Sequence, residues 1–174
     1  MTHHGTRLSG VFAPVVTPFL DGEPALDDLR CNLRKLGQTG VSGYLALGSN
    51  GEFRSLFDEE QARVLEVFAE EKGAKTVMAG AADESTRHTI AKVKRAAGMG
   101  FPYASVLTPH YFAKQMTAAV LAGYFEAVAD ASPIPILLYN APGFAGGVQL
   151  GPKTANRLAA HPNIVGMKDS APAG

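Results

Sequence analysis

Cysteine is nearly absent from this chain of 174 residues: Cys31 is the only one, and it falls inside a helical pattern. A disulfide framework is therefore excluded, which fits a cytoplasmic protein. Net charge is absent too, with 16 basic residues against 16 acidic ones and no Lys/Arg run. That balance points away from nucleic acid and from anionic membrane surfaces as partners. No apolar run approaches the ~18 residues that a membrane span requires. The opening Met1-Thr2-His3-His4-Gly5 shows neither an apolar signal segment nor an Arg-rich presequence. His3 and His4 read as a solvated chain start rather than as metal ligands.

What remains is material for one soluble globular domain, 46% hydrophobic and 18% charged, long enough to bury a substantial core. Strand and helix signals alternate along it. Strands are expected at Val11–Phe19, Gly43–Gly48, Thr76–Ala81, Ala104–Thr108, Ile134–Tyr139 and Ile164–Met167. Amphipathic helices are expected between them at Leu26–Leu36, Asp58–Glu71, Ser85–Ala97, Thr117–Ala131 and Pro152–Ala160. Asp58, Glu59 and Glu60 load the first turn of the second helix, as the helix dipole favours. Gly37, Gly73, Gly98 and Gly100 follow helix ends, where a left-handed residue is wanted.

Strands begin roughly 30 residues apart, about the size of a βαβ unit. Their cores are apolar on both faces, as in Val77-Met78-Ala79 and Ile136-Leu137-Leu138. That pattern belongs to a parallel sheet covered by helices, so the class is α/β. An open doubly wound sheet and a closed (β/α)8 TIM barrel compete. A dinucleotide-binding sheet would place G-x-G-x-x-G after its first strand, and none is present. Polar groups end almost every strand instead: Thr17, Ser49 and Asn50, Thr108 and Tyr111, Tyr139 and Asn140, Lys168 and Asp169. Delivery of such groups to one rim is the layout of a barrel active site. A barrel needs eight βα units in ~250 residues, and only about the first six are found here. Residues 1–174 are thus expected to form a single incomplete barrel domain, with the last two βα units and the C-terminal helices absent. Unpaired sheet edges would then favour association or an inactive fragment.

Lys168 ends the last apolar strand. An ammonium in a cleft is costly, and a neutral amine attacks carbonyls, so Lys168 is a candidate Schiff-base nucleophile. A solvated lysine just past a strand end is the alternative. Gly48-Ser49-Asn50-Gly51-Glu52 offers hydroxyl, amide and backbone N–H groups in a tight turn suited to a carboxylate or phosphate, or else an ordinary strand-to-helix turn. Tyr139 could relay protons beside a nucleophile, or simply pack. Tyr111 and His110 carry the same two readings.

Together these fragments resemble the pyruvate-dependent class I aldolase family that includes dihydrodipicolinate synthase, N-acetylneuraminate lyase and 4-hydroxy-2-oxoglutarate aldolase. The resemblance rests on Pro14-Val15-Val16-Thr17-Pro18-Phe19, Gly48-Ser49-Asn50-Gly51-Glu52, Thr108-Pro109-His110-Tyr111, Tyr139-Asn140-Ala141-Pro142 and Gly166-Met167-Lys168-Asp169-Ser170, in that order. It implies a lyase in which Lys168 forms an imine with pyruvate or another 2-oxo acid. It also implies that Tyr139 and Ser49 pass protons, and that Tyr111 reaches a neighbouring subunit's site. The turn formed by Gly48, Ser49 and Asn50 would hold the substrate carboxylate. The resemblance further implies a homodimer or homotetramer at full length, and no metal or organic cofactor.

The substrate implied depends on two departures from the synthases of that family. Phe144 stands where they usually carry an arginine for the second substrate's carboxylate, and a phenylalanine offers no bidentate contact. Asn50 replaces the second hydroxyl of their usual Thr-Thr pair. The motifs look closest to 4-hydroxy-2-oxoglutarate and 2-keto-3-deoxy-sugar-acid aldolases. Cleavage of a 2-oxo acid is therefore expected ahead of dihydrodipicolinate (4-hydroxy-tetrahydrodipicolinate) synthesis, with Phe144 lining the substrate pocket.

Overall fold

The computed structural model describes residues 8–172, so the reading of His3 and His4 lies outside the described residues. In chain order the elements are β1 (Phe12–Pro14), β2 (Phe19–Leu20), β3 (Glu23–Pro24), α1 (Leu26–Gly37), β4 (Gly43–Ala46) and α2 (Asp58–Glu71). They continue with β5 (Thr76–Gly80), α3 (Thr86–Gly98), β6 (Tyr103–Leu107), α4 (Ala118–Ala131), β7 (Ile136–Asn140), α5 (Pro152–Ala159) and β8 (Ile164–Asp169). Six strands form one parallel sheet in the order β1-β4-β5-β6-β7-β8. Each new strand joins on the same side of the last, with no reversal of order. A doubly wound sheet reverses at its switch point, so this is the progression of a barrel wall, and the wall is open between β1 and β8.

Helix starts follow the sequence closely. Ser85 and Thr117 accept from the N–H groups of His88 and Val120, capping α3 and α4. In α2 the Glu60 carboxylate reaches back to the N–H of Phe57 at 2.8 Å. Arg34 pairs with Glu71 between α1 and α2, and Arg157 pairs with Glu126 between α5 and α4. These exposed pairs add little energy but fix the helices' relative register. The main core lies between helices and sheet, and includes Leu29, Leu33, Tyr44, Val64, Phe68, Phe101, Phe125, Ile136 and Leu158. A smaller cluster of Leu45, Met78, Tyr103 and Leu137 fills the inner face of the wall, with Leu8 and Phe12 against it.

Three expectations change. The long first strand is only β1, whose ladder with β4 ends at Pro14 and the Val15 N–H, and Phe19–Leu20 instead pairs antiparallel with Glu23–Pro24. Gly73 and Gly100 do take positive φ, at 53° and 79°, but Gly37 and Gly98 are the last helical residues of α1 and α3. Strand β8 runs on to Asp169, so Lys168 lies within the strand rather than beyond it.

Candidate active site

The C-terminal ends of β4, β7 and β8 bring Ser49, Tyr139 and Lys168 together. Tyr139 is the fourth residue of β7, and its ladder partner on β8 is Lys168. Neighbours in register on a parallel pair point to the same face. The Lys168 Nζ accordingly sits 4.0 Å from the Tyr139 ring centroid. From the other side, the Ser49 hydroxyl lies 3.0 Å from the Tyr139 hydroxyl. Tyr139 is only 4% exposed. Burial alone would make its phenol harder to ionise. The Ser49 hydrogen bond, the hydrogen bond and charge of Lys168, and Ser170 outweigh that cost, and the phenol is held below its ordinary pKa.

The turn carrying Ser49 is a 3-10 turn, Ser49–Gly51, closed by Gly51 N–H onto the Gly48 carbonyl (3.0 Å) and Glu52 N–H onto the Ser49 carbonyl (3.1 Å). Neither of its glycines takes a positive φ. The left-handed positions are Leu47 (φ 51°) and Glu52 (φ 50°), on either side of the turn. Gly48 and Gly51 are needed for close approach: a Cβ at Gly48 would stand 3.0 Å from Leu45, and one at Gly51 3.1 Å from the Val15 carbonyl. Buried Thr17 donates to the Gly51 carbonyl at 2.7 Å, so its hydroxyl holds the turn instead of lining the site. Asn50 is exposed on that turn.

Asn140 and Asp169 also turn out to be fasteners. Asn140 is 1% exposed; its Nδ2 donates to Asp169 at 3.0 Å, and its Oδ1 accepts from Leu150 N–H at 3.0 Å. The Ser170 N–H donates to the Asn140 carbonyl at 2.8 Å. This double link secures the end of β8, and hence Lys168, against β7. Ser170 was not singled out by sequence, although it belongs to the same motif as Lys168.

Phe144, 62% exposed, joins Ser49, Phe53, Arg54 and Leu107 around a cavity of ≈ 220 Å³. It lines a cavity beside Ser49 that neither Tyr139 nor Lys168 borders. Tyr111 is not part of the Ser49–Tyr139–Lys168 group within this chain. Its ring is 77% exposed and packs edge-on against Phe112, with centroids 4.8 Å apart. His110 faces the Thr108 carbonyl at 3.2 Å and Glu84 at 3.3 Å. Sequence reading missed Glu84 and Arg54 entirely, since no local spacing links two residues whose loops meet only in the fold. Among the described residues no group of three or more His, Cys, Asp or Glu is placed to hold a metal ion. Nor is any described helix long and apolar enough to cross a membrane.

Residues 7–173 match the model of the dihydrodipicolinate synthetase family. A 4-hydroxy-tetrahydrodipicolinate synthase of Xanthomonas campestris pv. campestris is 41% identical over 165 residues, covering 94% of this chain and 54% of that protein. An L-threo-3-deoxy-hexylosonate aldolase of Hypocrea jecorina is 38% identical over 166 residues, covering 91% and 53%. Among solved structures, a prophage protein of the dihydrodipicolinic acid synthase family from E. coli K12, in complex with pyruvate, superposes with a TM-score of 0.87 at 30% identity. That match covers 94% of this chain and 55% of the other. The chain spans about half the length of the curated relatives it matches.

Proposed function

The chain belongs to the dihydrodipicolinate synthetase family, and from that premise we propose that it carries the Schiff-base machinery of a pyruvate-dependent class I aldolase. The observation that carries this reading is the Ser49–Tyr139–Lys168 group, with its acidified phenol beside an amine. The Lys168 ammonium first gives a proton to the ionised Tyr139; the freed amine adds to the ketone carbon of a 2-oxo acid, and the carbonyl oxygen takes that proton back from Tyr139. Loss of that oxygen as water leaves a protonated imine. Its electron demand allows the C3–C4 bond to break once a base removes the 4-hydroxyl proton. The bonding pair moves into the imine as an enamine, an aldehyde or oxo acid departs, and protonation and hydrolysis release pyruvate and free Lys168. A phenol held below its ordinary pKa and tied to a hydroxyl can give and take the protons these steps need.

The substrate carboxylate is assigned to the Ser49 and Asn50 N–H groups and the Ser49 hydroxyl, since the turn itself uses only the N–H groups of Gly51 and Glu52. The favoured reaction is carbon–carbon cleavage of a 4-hydroxy-2-oxo acid, with 4-hydroxy-2-oxoglutarate or a 2-keto-3-deoxy sugar acid as test substrates. Phe144 supports the 2-keto-3-deoxy sugar acid of the two, because a ring in the pocket wall gives a second carboxylate nothing to pair with and only 4-hydroxy-2-oxoglutarate carries one. The synthase reading is kept because of the 41% identity to a 4-hydroxy-tetrahydrodipicolinate synthase. Borohydride reduction with pyruvate, followed by peptide mass mapping, tests the proposal. An adduct at Lys168 is expected, and adduct elsewhere or none overturns it. Pyruvate release from the two cleavage substrates, set against turnover of aspartate semialdehyde, then separates lyase from synthase.

A further inference from the structure

Three loops at the C-terminal rim meet on one carboxylate. Glu84 follows β5, and its Oε2 accepts from the backbone N–H of His110 at 2.7 Å and of Tyr111 at 2.8 Å. Its Oε1 accepts from Arg54, in the loop after β4, at 2.5 Å. That same oxygen lies 3.3 Å from the His110 ring nitrogen. The Arg54 guanidinium also stacks 5.1 Å from the Phe53 ring centroid, and both residues line the cavity beside Ser49. A single anion thus joins the Ser49 loop, the β5 loop and the Tyr111 loop.

The need for such a clamp is visible in Tyr111 itself. Its ring is 77% exposed, so packing against this chain does little to fix it. Two charge-assisted bonds to consecutive N–H groups fix the backbone from which the ring projects, leaving the ring free to face outward. We infer that Glu84 is a positioning residue, held by Arg54, that sets the direction of Tyr111 for proton transfer. The inference rests on the reading of Tyr111 as a proton-relay residue within the proposed aldolase chemistry. Burial opposes the charge on Glu84, but the N–H groups of Tyr111 and His110 and the charges of His110 and Arg54 outweigh it, and the carboxyl is held below its ordinary pKa.

Amide hydrogen exchange on wild type, Glu84→Ala and Glu84→Gln tests the clamp without any turnover. Exchange at His110 and Tyr111 is expected to quicken at least about tenfold in Glu84→Ala, with the β6 and β7 amides unchanged. Unchanged exchange at those two amides overturns the clamp. Kinetics of pyruvate release from 4-hydroxy-2-oxoglutarate test its purpose. Glu84→Ala is expected to lower kcat roughly 10- to 100-fold, with KM near wild type and borohydride trapping of pyruvate on Lys168 retained. The Tyr111→Phe variant should lose a similar factor, and the double variant no more than the larger single loss. Glu84→Asp should recover part of the rate. Multiplying losses in the double variant, or an unchanged kcat in Glu84→Ala, would overturn the positioning role. Absence of the Lys168 adduct in wild type would instead sink the aldolase reading, and the exchange result would still decide whether the clamp exists.

Discussion

The middle of the sheet and its β8 edge are built differently, and the candidate site draws on both. In β6 and β7 every residue is buried, with a helix layer outside and side chains inside. In β8 burial alternates: Ile164 is buried, while Val165 and Met167 are 46% and 42% exposed. Apolar grooves run along both open edges, ≈ 480 Å³ between β1 and α1 and ≈ 300 Å³ between α5 and β8. Tyr139 belongs to the closed middle, Ser49 to the turn after β4, and Lys168 to the edge. The phenol is therefore fixed by packing, and the Ser49 turn by the Thr17 hydroxyl. The nucleophile is fixed by its ladder with Tyr139 and by the Asn140–Asp169 link.

The largest way to break the contrast is to hollow the middle. Ile136→Ala removes a fully buried β7 side chain and should cost about 2–5 kcal/mol in denaturant unfolding, whereas Val165→Ala on the edge should cost no more than about 0.5 kcal/mol. Equal costs would erase the distinction. Next in size is Tyr139→Phe, which keeps the packing but removes the hydroxyl that meets Ser49. Steady-state kinetics should show kcat about 100-fold lower or more, with the thermal midpoint little changed.

A smaller effect separates the rim loops from the edge by pH. Asp83 and Glu84 are both held below the ordinary carboxylate range. For Asp83, burial is outweighed by the hydrogen bond and charge of Lys92 and by nearby N–H groups; for Glu84, it is outweighed by the Tyr111 and His110 N–H groups and by charge. Carboxylates with lowered folded pKa values contribute stability that is fully present above ~4 and is lost as pH falls through the folded values. Urea midpoints measured from neutral pH downward should therefore drop below about pH 4, and the drop should be shallower in Glu84→Gln. The smallest effect is expected from Val165→Lys, which should leave the unfolding free energy within about 0.5 kcal/mol of wild type. A charge on an open edge opposes strand pairing between copies, so sedimentation should show less self-association.

Most of this architecture was legible because it is written in local signals. Alternating apolar runs and capped helices located all six wall strands and five helices. The meeting of Ser49, Tyr139 and Lys168 was legible only as ordered motifs, since residues 90 positions apart, such as Ser49 and Tyr139, share no local pattern. The fastening roles of Thr17, Asn140 and Asp169 were not legible, for a physical reason. A polar group at a strand end looks the same in sequence whether it faces substrate or ties down a neighbouring loop. The Arg54–Glu84 pair was invisible because its meaning comes from three loops converging in space.

The account turns on Lys168 at the edge and Tyr139 in the middle acting as one chemical unit, and the ionisation of Tyr139 reports that directly. Burial holds Tyr44 and Tyr124 above the ordinary phenol range, whereas Tyr139 is held below it. With 13C-labelled tyrosine, an NMR pH titration of wild type should show Tyr139 ionising below the ordinary value of ~10. In Lys168→Met the same resonance should titrate at higher pH. A Tyr139 resonance that titrates identically in the two proteins would contradict the account.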